Sequence, residues 1–287
     1  MRFCQRIQLV VAALFACAIA ANAGAETSPD PNLKVLARVA LLSDPHVNRA
    51  TNGMDATFRP HFEKAIAQVN AAKVDVVLIA GDLTQDGKPE ECADFKELVK
   101  RFRAPVYFVP GNHDVGHKFN SGHTNGTVTS ERVAAWEKTF GPSWFSKKRA
   151  GLRVIGINSS LLGSGFERED TMWKFLEREL ARPARVPTIL FMHYPLFLKS
   201  PDEPGGEYFN TEPAPRARLL HLLQQAAVKT VLTGHTHRSL VIRRDGILFL
   251  TTPPISFGLP RGEQPEGWTL VTVFKNGEAH DTFQPIE

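Results

Sequence analysis

The sequence predicts an α/β fold made of two mixed sheets flanked by helices. Short apolar runs alternate with helical patterns along most of the chain, whereas the last apolar runs are joined by tight turns. Alternating strands and helices are typical of βαβ units with a parallel core, and tight turns join antiparallel strands. The two kinds of connection together indicate sheets of mixed direction.

Three strands and two helices are predicted in the first half of the chain. The strands are Ala37–Leu42, Val74–Ala80 and Pro105–Val109. The helices are marked by apolar residues at helical spacing, namely Phe62, Ile66 and Val69 in the first and Phe95, Leu98, Val99 and Phe102 in the second. This order predicts two βαβ crossovers. The stretch 116–129 has no clear period and follows a polar motif, so we expect an active-site loop there.

The second half repeats this alternation less regularly. Its predicted strands are Leu152–Ile157, Thr188–Met192 and Thr230–Leu232, and its helices contain Met172, Phe175, Leu176 and Leu180, and then Leu219–Leu223. Asp245-Gly246 and Asn276-Gly277 mark two hairpin turns, so we expect the chain to end in antiparallel strands.

Residues 1–23 have the composition of a secretory signal. Arg2 and Arg6 precede the apolar run Leu9–Ile19, and Ala21-Asn22-Ala23 has the form of a cleavage site. The apolar run is too short to span a membrane. We therefore expect an exported, periplasmic protein with one domain over residues 24–287; a lipoprotein anchored at Cys17 is the alternative.

Charge and cysteine content limit the remaining classes. Loss of Arg2 and Arg6 would lower the net charge from +4 to +2, and Lys147-Lys148-Arg149 is the longest basic run. A nucleic-acid polymer is therefore not an expected partner. Cleavage would also leave Cys92 as the only cysteine, which excludes an internal disulfide and predicts a thiol packed as a small apolar group.

Five short motifs carry the potential metal ligands, and each follows a predicted strand. They are Asp44-Pro45-His46, Gly81-Asp82, Gly111-Asn112-His113-Asp114, His193 and Gly234-His235-Thr236-His237. Ligands gather at the carboxyl ends of strands in open α/β sheets, so we expect these side chains to converge. They supply more hard and borderline ligands than one ion needs. The motifs therefore predict a two-metal site, and such sites mostly act on phosphate esters.

The spacing within the motifs suggests how two cations are held. Asp44 and His46 are two residues apart, and an extended backbone would point both side chains the same way. His235 and His237 have the same spacing, and Asp82 is available as a bridging carboxylate. Asn112 offers a neutral oxygen, which limits the negative charge around the cations. The glycines of the motifs allow sharp turns and close backbone approach.

These motifs resemble those of the calcineurin-like metallophosphoesterase superfamily, over Arg38 to Pro285. The resemblance implies a four-layer α/β/β/α sandwich with two metal ions, which are manganese, iron, zinc or cobalt. One ion would be held by Asp44, His46, Asp82 and His237, and the other by Asp82, Asn112, His193 and His235. It also implies that His113 faces the substrate and that Asp114 orients the His113 ring.

The expected reaction is hydrolysis of phosphate monoesters or diesters. A water that bridges two cations becomes hydroxide near neutral pH and would attack phosphorus in line with the leaving oxygen. His113 would protonate or hydrogen-bond that oxygen. The expected substrate is a small-molecule phosphate ester or a phosphoprotein, and the sequence says nothing about the oligomeric state.

Two branches of the superfamily share local features with this chain. The run from Gly81 to Gly87 resembles bacterial class III cyclic-nucleotide phosphodiesterases. The run from His193 to Leu198, followed by Tyr208-Phe209-Asn210, is similar to an animal branch described as acting on phosphoproteins. We expect Tyr208, Phe209 and Asn210, in the loop Lys199–Thr211, to shape substrate access. Arg216 and Arg218 are expected on a solvated helix surface.

Other classes of protein fit less well. Metal-dependent amidohydrolases begin with His-x-His and end with Asp, the reverse of the order here, and the His-x-His-x-Asp-His run of metallo-β-lactamases is absent. A binding module stabilised by metal is the alternative that is not an enzyme. Structural metal sites are cysteine-rich or fully coordinated by the protein, unlike this set of charged and amide ligands.

Overall fold

The computed structural model of the protein describes residues 32–119, 126–183 and 185–286. The expected signal segment 1–23, with its Cys17 alternative, lies outside the described residues, as does His123 of the expected active-site loop. The strands are β1 Val35–Leu42, β2 Val76–Ala80, β3 Val106–Val109, β4 Phe145–Arg149, β5 Leu152–Gly156, β6 Thr188–Phe191, β7 Thr230–Thr233, β8 Leu240–Arg244, β9 Ile247–Thr251, β10 Gly267–Phe274 and β11 Ala279–Pro285. The helices are α1 Phe58–Ala72, α2 Pro89–Val99, α3 Asn112–Val115, α4 Ser130–Phe140, α5 Glu167–Ala181 and α6 Pro213–Gln225.

The first sheet has the strand order β11-β10-β1-β2-β3. Strands β1, β2 and β3 are parallel and are connected through α1 and α2, as the alternating pattern predicts. Strand β10 pairs antiparallel with β1, placing Val271 opposite Val39, and β11 pairs antiparallel with β10. The end of the chain therefore completes the sheet that its beginning starts.

The second sheet has the strand order β4-β5-β6-β7-β9-β8. Strands β5, β6, β7 and β9 are parallel, and the edge strands β4 and β8 are antiparallel to their neighbours. Asp245-Gly246 connects β8 to β9, and Asn276-Gly277 lies between β10 and β11, so both predicted hairpins are present. The prediction of two mixed sheets flanked by helices is confirmed.

The two sheets pack against each other and each carries helices on its outer face. Val39 and Leu41 of β1 belong to an apolar cluster with Val154 of β5 and Phe191 of β6, which fills the space between the sheets. The neighbouring residues of these strands alternate to the other face and join a second cluster with the apolar sides of the helices. On the outer face of the first sheet, for example, the rings of Phe62 in α1 and Phe95 in α2 stack at 5.9 Å.

Two elements between β3 and β5 carry weak sequence signals and were not predicted. Strand β4 is exposed over Lys147–Arg149 and lies at a sheet edge, so it lacks an apolar run. Helix α4 buries only Val133 and Trp136. None of the described helices has the length and apolar character needed to cross a membrane.

Candidate metal centre

The seven predicted ligands come together at one edge of the two sheets. They follow β1, β2, β3, β6 and β7, and all seven are buried: Asp44, His46, Asp82, Asn112, His193, His235 and His237. His237 Nε2 lies 3.3 Å from Asp44 Oδ1, and His193 Nε2 lies 3.4 Å from Asp82 Oδ2. Residues almost two hundred positions apart in the sequence are therefore in contact. We call these seven residues the ligand cluster.

The ligand atoms form two overlapping groups. In one, Asp44, His46, Asp82 and His237 each place a ligand atom within 4.8 Å of the others; in the second, Asp82, His193 and His235 do so. Asp82 belongs to both groups, because its Oδ2 lies 3.6 Å from His46 Nε2 as well as near His193. Asn112 adds its oxygen to the second group, 2.9 Å from His193 Nε2.

The backbone at these residues is not extended, so that part of the prediction is wrong. Asp44, His46, His235 and His237 all have left-handed backbones, with φ of 52°, 45°, 72° and 53°, and Asp82 has a φ of 49°. Each costs roughly 1–3 kcal/mol for a residue other than glycine. Hydrogen bonds between the motifs hold the turns, including Asp44 N to the Gly81 carbonyl at 3.1 Å. The left-handed turns bend the chain sharply where each strand ends, which brings the side chains together without an extended segment.

Backbone carbonyls fix the orientation of the histidine rings. Nδ1 of His193 donates to the Ala80 carbonyl at 2.7 Å, and Nδ1 of His237 donates to the Phe257 carbonyl at 2.6 Å. Nε2 of each ring then faces the cluster. His235 is reversed, since its Nε2 lies 3.3 Å from the Tyr208 carbonyl and its Nδ1 faces inward. A second ring nitrogen held by a carbonyl is the usual arrangement of a metal-binding histidine.

Opposite charges stabilise one another in this buried site. Burial by itself would raise the pKa of Asp44, but His237 and His193 hold that pKa below its ordinary value. Burial opposes protonation of His193, yet Asp82 raises the pKa of His193 to about 9, whereas burial lowers the pKa of His46 to about 3. A proton on His193 thus balances the carboxylates, and although burial opposes protonation of His237, Asp44 raises the pKa of His237 above its ordinary value. Cations bound between the same acceptor atoms would displace such a proton.

The donor set fits a pair of cations. Asp44 Oδ1 is buried and accepts no hydrogen bond from the described residues, although His237 Nε2 lies 3.3 Å from it. A buried carboxylate oxygen without a hydrogen bond is costly unless a cation or proton satisfies it. The oxygen and nitrogen ligands match hard and borderline metals.

Two motif glycines leave room for ligands that belong to other motifs. A Cβ on Gly81 would lie 2.5 Å from His193 Nδ1, and Gly81 also has a left-handed φ of 88°. A Cβ on Gly111 would lie 2.2 Å from Asp82 Oδ1. The predicted close approach therefore occurs, and at both positions it is an approach to another motif's ligand.

His113 lies beside the ligand cluster, but Asp114 does not orient its ring as expected. Nδ1 of His113 donates to the Gln85 carbonyl at 2.7 Å, and the ring packs edge-on against His46. The Asp114 carboxylate instead accepts hydrogen bonds from the backbone N–H groups of Leu83, Thr84 and Gly111. Asp114 therefore fixes the loop that carries Gln85, and its effect on His113 is indirect.

The loop Lys199–Thr211, which we call the rim loop, reaches the ligand cluster through Tyr208 and Phe209. The Tyr208 ring lies 4.9 Å from the His235 ring and its hydroxyl lies 3.5 Å from Asn112 Nδ2. The Phe209 ring lies 5.5 Å from His235. Both aromatic side chains therefore pack beside His235 at the edge of the ligand cluster.

Asn210 and Arg216 do not have the predicted surroundings. Asn210 is buried and its Nδ2 donates to Glu203 at 2.7 Å, so it supports the rim loop and does not face a substrate. Arg216 is 1 % exposed, and its guanidinium donates to the carbonyls of Thr211, Pro201 and Glu203. It is not on a solvated surface, because the rim loop folds over it. Arg218 does lie on the surface, where it pairs with Glu177.

Several residues that surround the cluster could not be recognised from the sequence. Lys118 is buried and pairs with Glu212 beneath the rim loop. Glu203 accepts hydrogen bonds from the N–H groups of Leu198, Lys199 and Ser200. Single charged residues in loops usually face solvent, so nothing in their spacing indicates burial.

Comparisons with known proteins agree with this geometry. The family model described as calcineurin-like phosphoesterase matches residues 37–239. The human serine/threonine-protein phosphatase CPPED1 is 28 % identical over 226 residues, covering 74 % of this chain and 68 % of the human protein. A probable cyclic nucleotide phosphodiesterase of Vesicomyosocius okutanii is 22 % identical, covering 83 % and 94 % respectively. The fold is similar to that of a purple acid phosphatase from yellow lupin, with a TM-score of 0.62, 17 % identity and coverage of 90 % of this chain and 53 % of that one.

Proposed function

Because the chain belongs to the calcineurin-like phosphoesterase family, we propose that it hydrolyses phosphate monoesters or diesters with two metal ions held by the ligand cluster. The observation that carries the proposal is the sharing of Asp82 between two buried groups of ligands. Asp44, His46 and His237 would complete the first site, and Asn112, His193 and His235 the second. Both groups need a ligand that can bridge, and Asp82 is the carboxylate common to them.

Two cations at this position would supply Lewis acidity to the phosphate and to the attacking water. The protein's own residues supply orientation. The carbonyl anchors of His193 and His237 present Nε2 of each ring toward the ligand cluster, so the ligands need little rearrangement to bind cations. A pre-arranged set of ligands of this kind lowers the cost of assembling the transition state.

His113 is the proposed proton donor to the leaving oxygen. Its Nδ1 is committed to the Gln85 carbonyl, so Nε2 is the nitrogen that is available to a substrate. The side chain is partly exposed, whereas the ligand histidines are buried. It therefore lies between the cluster and solvent, where a leaving group departs.

The substrates named for the relatives support both ester classes. One relative is named as a protein phosphatase and another as a probable cyclic nucleotide phosphodiesterase. Tyr208 and Phe209 provide aromatic surface beside the cluster, which suits a phenyl or base group near the phosphate. The signal-like composition of residues 1–23 supports action outside the cytoplasm.

The test is hydrolysis by the purified protein, after metal removal and reloading with manganese. Bis-4-nitrophenyl phosphate and 4-nitrophenyl phosphate report on diesters and monoesters respectively. We expect hydrolysis of at least one ester, about two metal ions bound per chain as the ligand chemistry implies, and loss of activity on chelation. Bound metal without hydrolysis of either ester or of a phosphopeptide panel would instead favour a metal-stabilised binding module.

A further inference from the structure

A buried ion pair connects the segment that follows α3 to the end of the rim loop, which contacts His235. The Lys118 side chain is 1 % exposed and the Glu212 side chain 12 %, and Lys118 Nζ donates to Glu212 Oε1. Lysine is almost never fully buried without such a partner. Lys118 belongs to the segment 116–129, whereas Glu212 follows the rim loop directly and precedes α6. The pair therefore joins two segments that are far apart in sequence.

Both partners of the pair are also connected to the neighbourhood of Tyr208. The Glu212 carboxylate accepts a hydrogen bond from Gly206 N, with Oε2 at 3.1 Å, two residues before Tyr208. On the other side, the His117 ring, next to Lys118, lies 5.6 Å from the Tyr208 ring. The backbone of His117 is held by hydrogen bonds to Gly126 and Val128. Tyr208 is thus bounded by residues that are adjacent to each end of the ion pair.

The Tyr208 hydroxyl has a defined position beside the ligand cluster. Oδ1 of Asn112 faces His193, so Nδ2 is the amide atom that donates to the Tyr208 oxygen at 3.5 Å. The hydroxyl hydrogen is therefore directed away from that amide. A phenol is a hydrogen-bond donor at neutral pH, and phosphoryl oxygens are acceptors.

We propose that the Lys118–Glu212 pair is a positioning device that holds the Tyr208 hydroxyl beside Asn112, where it donates a hydrogen bond to a phosphoryl oxygen of the substrate. This role rests on the proposed function. A buried ion pair contributes little to stability compared with an apolar pair of similar size. The burial of this ion pair is better explained by its effect on the rim loop, which it holds in one position.

Kinetics of single and double variants test the positioning role. Tyr208→Phe keeps the ring and removes the donor, and we expect kcat/KM to fall by about 10²-fold, as for loss of one preorganised donor, with unchanged metal content. Glu212→Gln should cause a similar loss. The double variant should be no worse than Tyr208→Phe alone, because both changes remove one interaction. Additive losses, or full activity of Tyr208→Phe, would overturn the proposal.

Two further variants separate positioning from general stability. Glu179→Gln is a matched control. Glu179 lies in α5, outside the ligand cluster, and its side chain, which is 10 % exposed, pairs with Arg182. It should lower the melting temperature but leave kcat/KM unchanged. If Glu212→Gln does not fold, Gly205→Ala replaces it, because the added Cβ would lie 2.6 Å from Glu212 Oε2 and displace the carboxylate. Equal kinetic losses in Glu179→Gln and Glu212→Gln would refute a specific role.

Fluorine NMR gives a readout that does not depend on turnover. The chain has three tyrosines, Tyr107, Tyr194 and Tyr208, so labelling with 3-fluorotyrosine gives three resonances, and Tyr208→Phe identifies one of them. Inorganic phosphate added to the zinc-loaded protein should shift the Tyr208 resonance, and Glu212→Gln should abolish that shift. A Tyr208 resonance that does not respond to phosphate in the wild type contradicts the inference. If the wild type lacked esterase activity, the proposed function would fail while this measurement still decided the role of Tyr208.

Discussion

The ligand cluster and the rim loop are neighbours, but they are held in place in different ways. In the cluster, His193 is held by the carbonyl of Ala80 at the end of β2, and His237 is held by the carbonyl of Phe257 in the loop between β9 and β10, so backbone groups determine the ring positions. The rim loop is held by two charged side chains, the partly buried Glu203 and the buried Arg216, which form hydrogen bonds with its backbone N–H and carbonyl groups. The position of Tyr208 thus depends on a few side chains outside the sheets.

Because of this difference, the residues expected to carry the chemistry are held separately from those expected to select the substrate. A cluster determined by strand ends persists wherever the two sheets persist. A loop determined by single side chains is rebuilt when one of them changes, and loops of this kind commonly carry specificity. Relatives with different named substrates are expected on this basis. The following predictions test the separation, beginning with the largest effect.

Asp82→Ala should affect the cluster most. It removes the ligand common to both groups, so we expect loss of both metals and a fall in turnover of at least about 10³-fold, since metal chemistry supplies several kcal/mol. Elemental analysis and bis-4-nitrophenyl phosphate hydrolysis measure the two effects. Asp86→Ala, in the same loop but exposed, is the control and should keep both metals. Two metals per chain in Asp82→Ala would contradict the shared role.

His113→Ala tests the boundary between the cluster and the solvent. We expect turnover of esters with poor leaving groups to fall by roughly 10²–10³-fold, because general acids contribute about this much. Nitrophenyl esters need less protonation and should lose much less, with metal content unchanged. Equal losses on phenyl and nitrophenyl phosphates would exclude the acid role.

Arg216→Ala should loosen the rim loop without emptying the cluster. Several buried carbonyls would lose their donor, so we expect the free energy of unfolding to fall by about 2–4 kcal/mol. KM should rise while the metal content stays the same. Arg218→Ala, on the same helix but exposed, should change stability by less than about 1 kcal/mol. Loss of metal in Arg216→Ala would show that the cluster and the rim loop are not separately held.

Glu203 should make the rim loop sensitive to acid, as the smallest of these effects. Burial by itself would raise the pKa of Glu203, but hydrogen bonds from Leu198 N–H, the Asn210 amide and Ser200 N–H lower it below its ordinary value. A lowered pKa means that the contribution to stability is present above the unfolded pKa and is lost as pH falls through the folded pKa.

Chemical denaturation of the metal-free protein between neutral pH and pH 3 measures this contribution. The stability difference between wild type and Glu203→Gln should be largest near neutral pH and shrink on acidification. A difference that is independent of pH would show that the Glu203 charge does not matter. Hydrogen exchange at Leu198 and Ser200 locates the change within the loop.

The sequence was sufficient for most strands of the two sheets, though not for the edge strand β4, and for the identity of the converging motifs. The apolar runs are short, bounded and regularly alternating, and the motifs end them, so strand ends could be placed and their polar residues grouped. Backbone conformation at Asp44 and His46 could not be predicted, since left-handed turns are stabilised by hydrogen bonds to another motif, such as Asp44 N to Gly81.

The surroundings of residues that contact a distant part of the chain could not be predicted either. Arg216 is buried because the rim loop lies over it. In the sequence, its place within a helical pattern looks the same as that of an arginine on a helix surface. The His113 ring is held by the carbonyl of Gln85, and a carbonyl leaves no trace in the residue type. A local sequence pattern predicts local structure, whereas the contacts of Arg216 and His113 depend on how separate loops pack together.

The space left by Gly81 and Gly111 has a consequence for redesign. Each glycine stands next to a ligand of its own motif yet accommodates a ligand from a different one, His193 for Gly81 and Asp82 for Gly111. The motifs therefore cannot be moved independently of one another. Grafting one of them into a foreign scaffold would transfer its ligands but not the partner that fills the gap, so a transplanted centre has to be moved as a complete set.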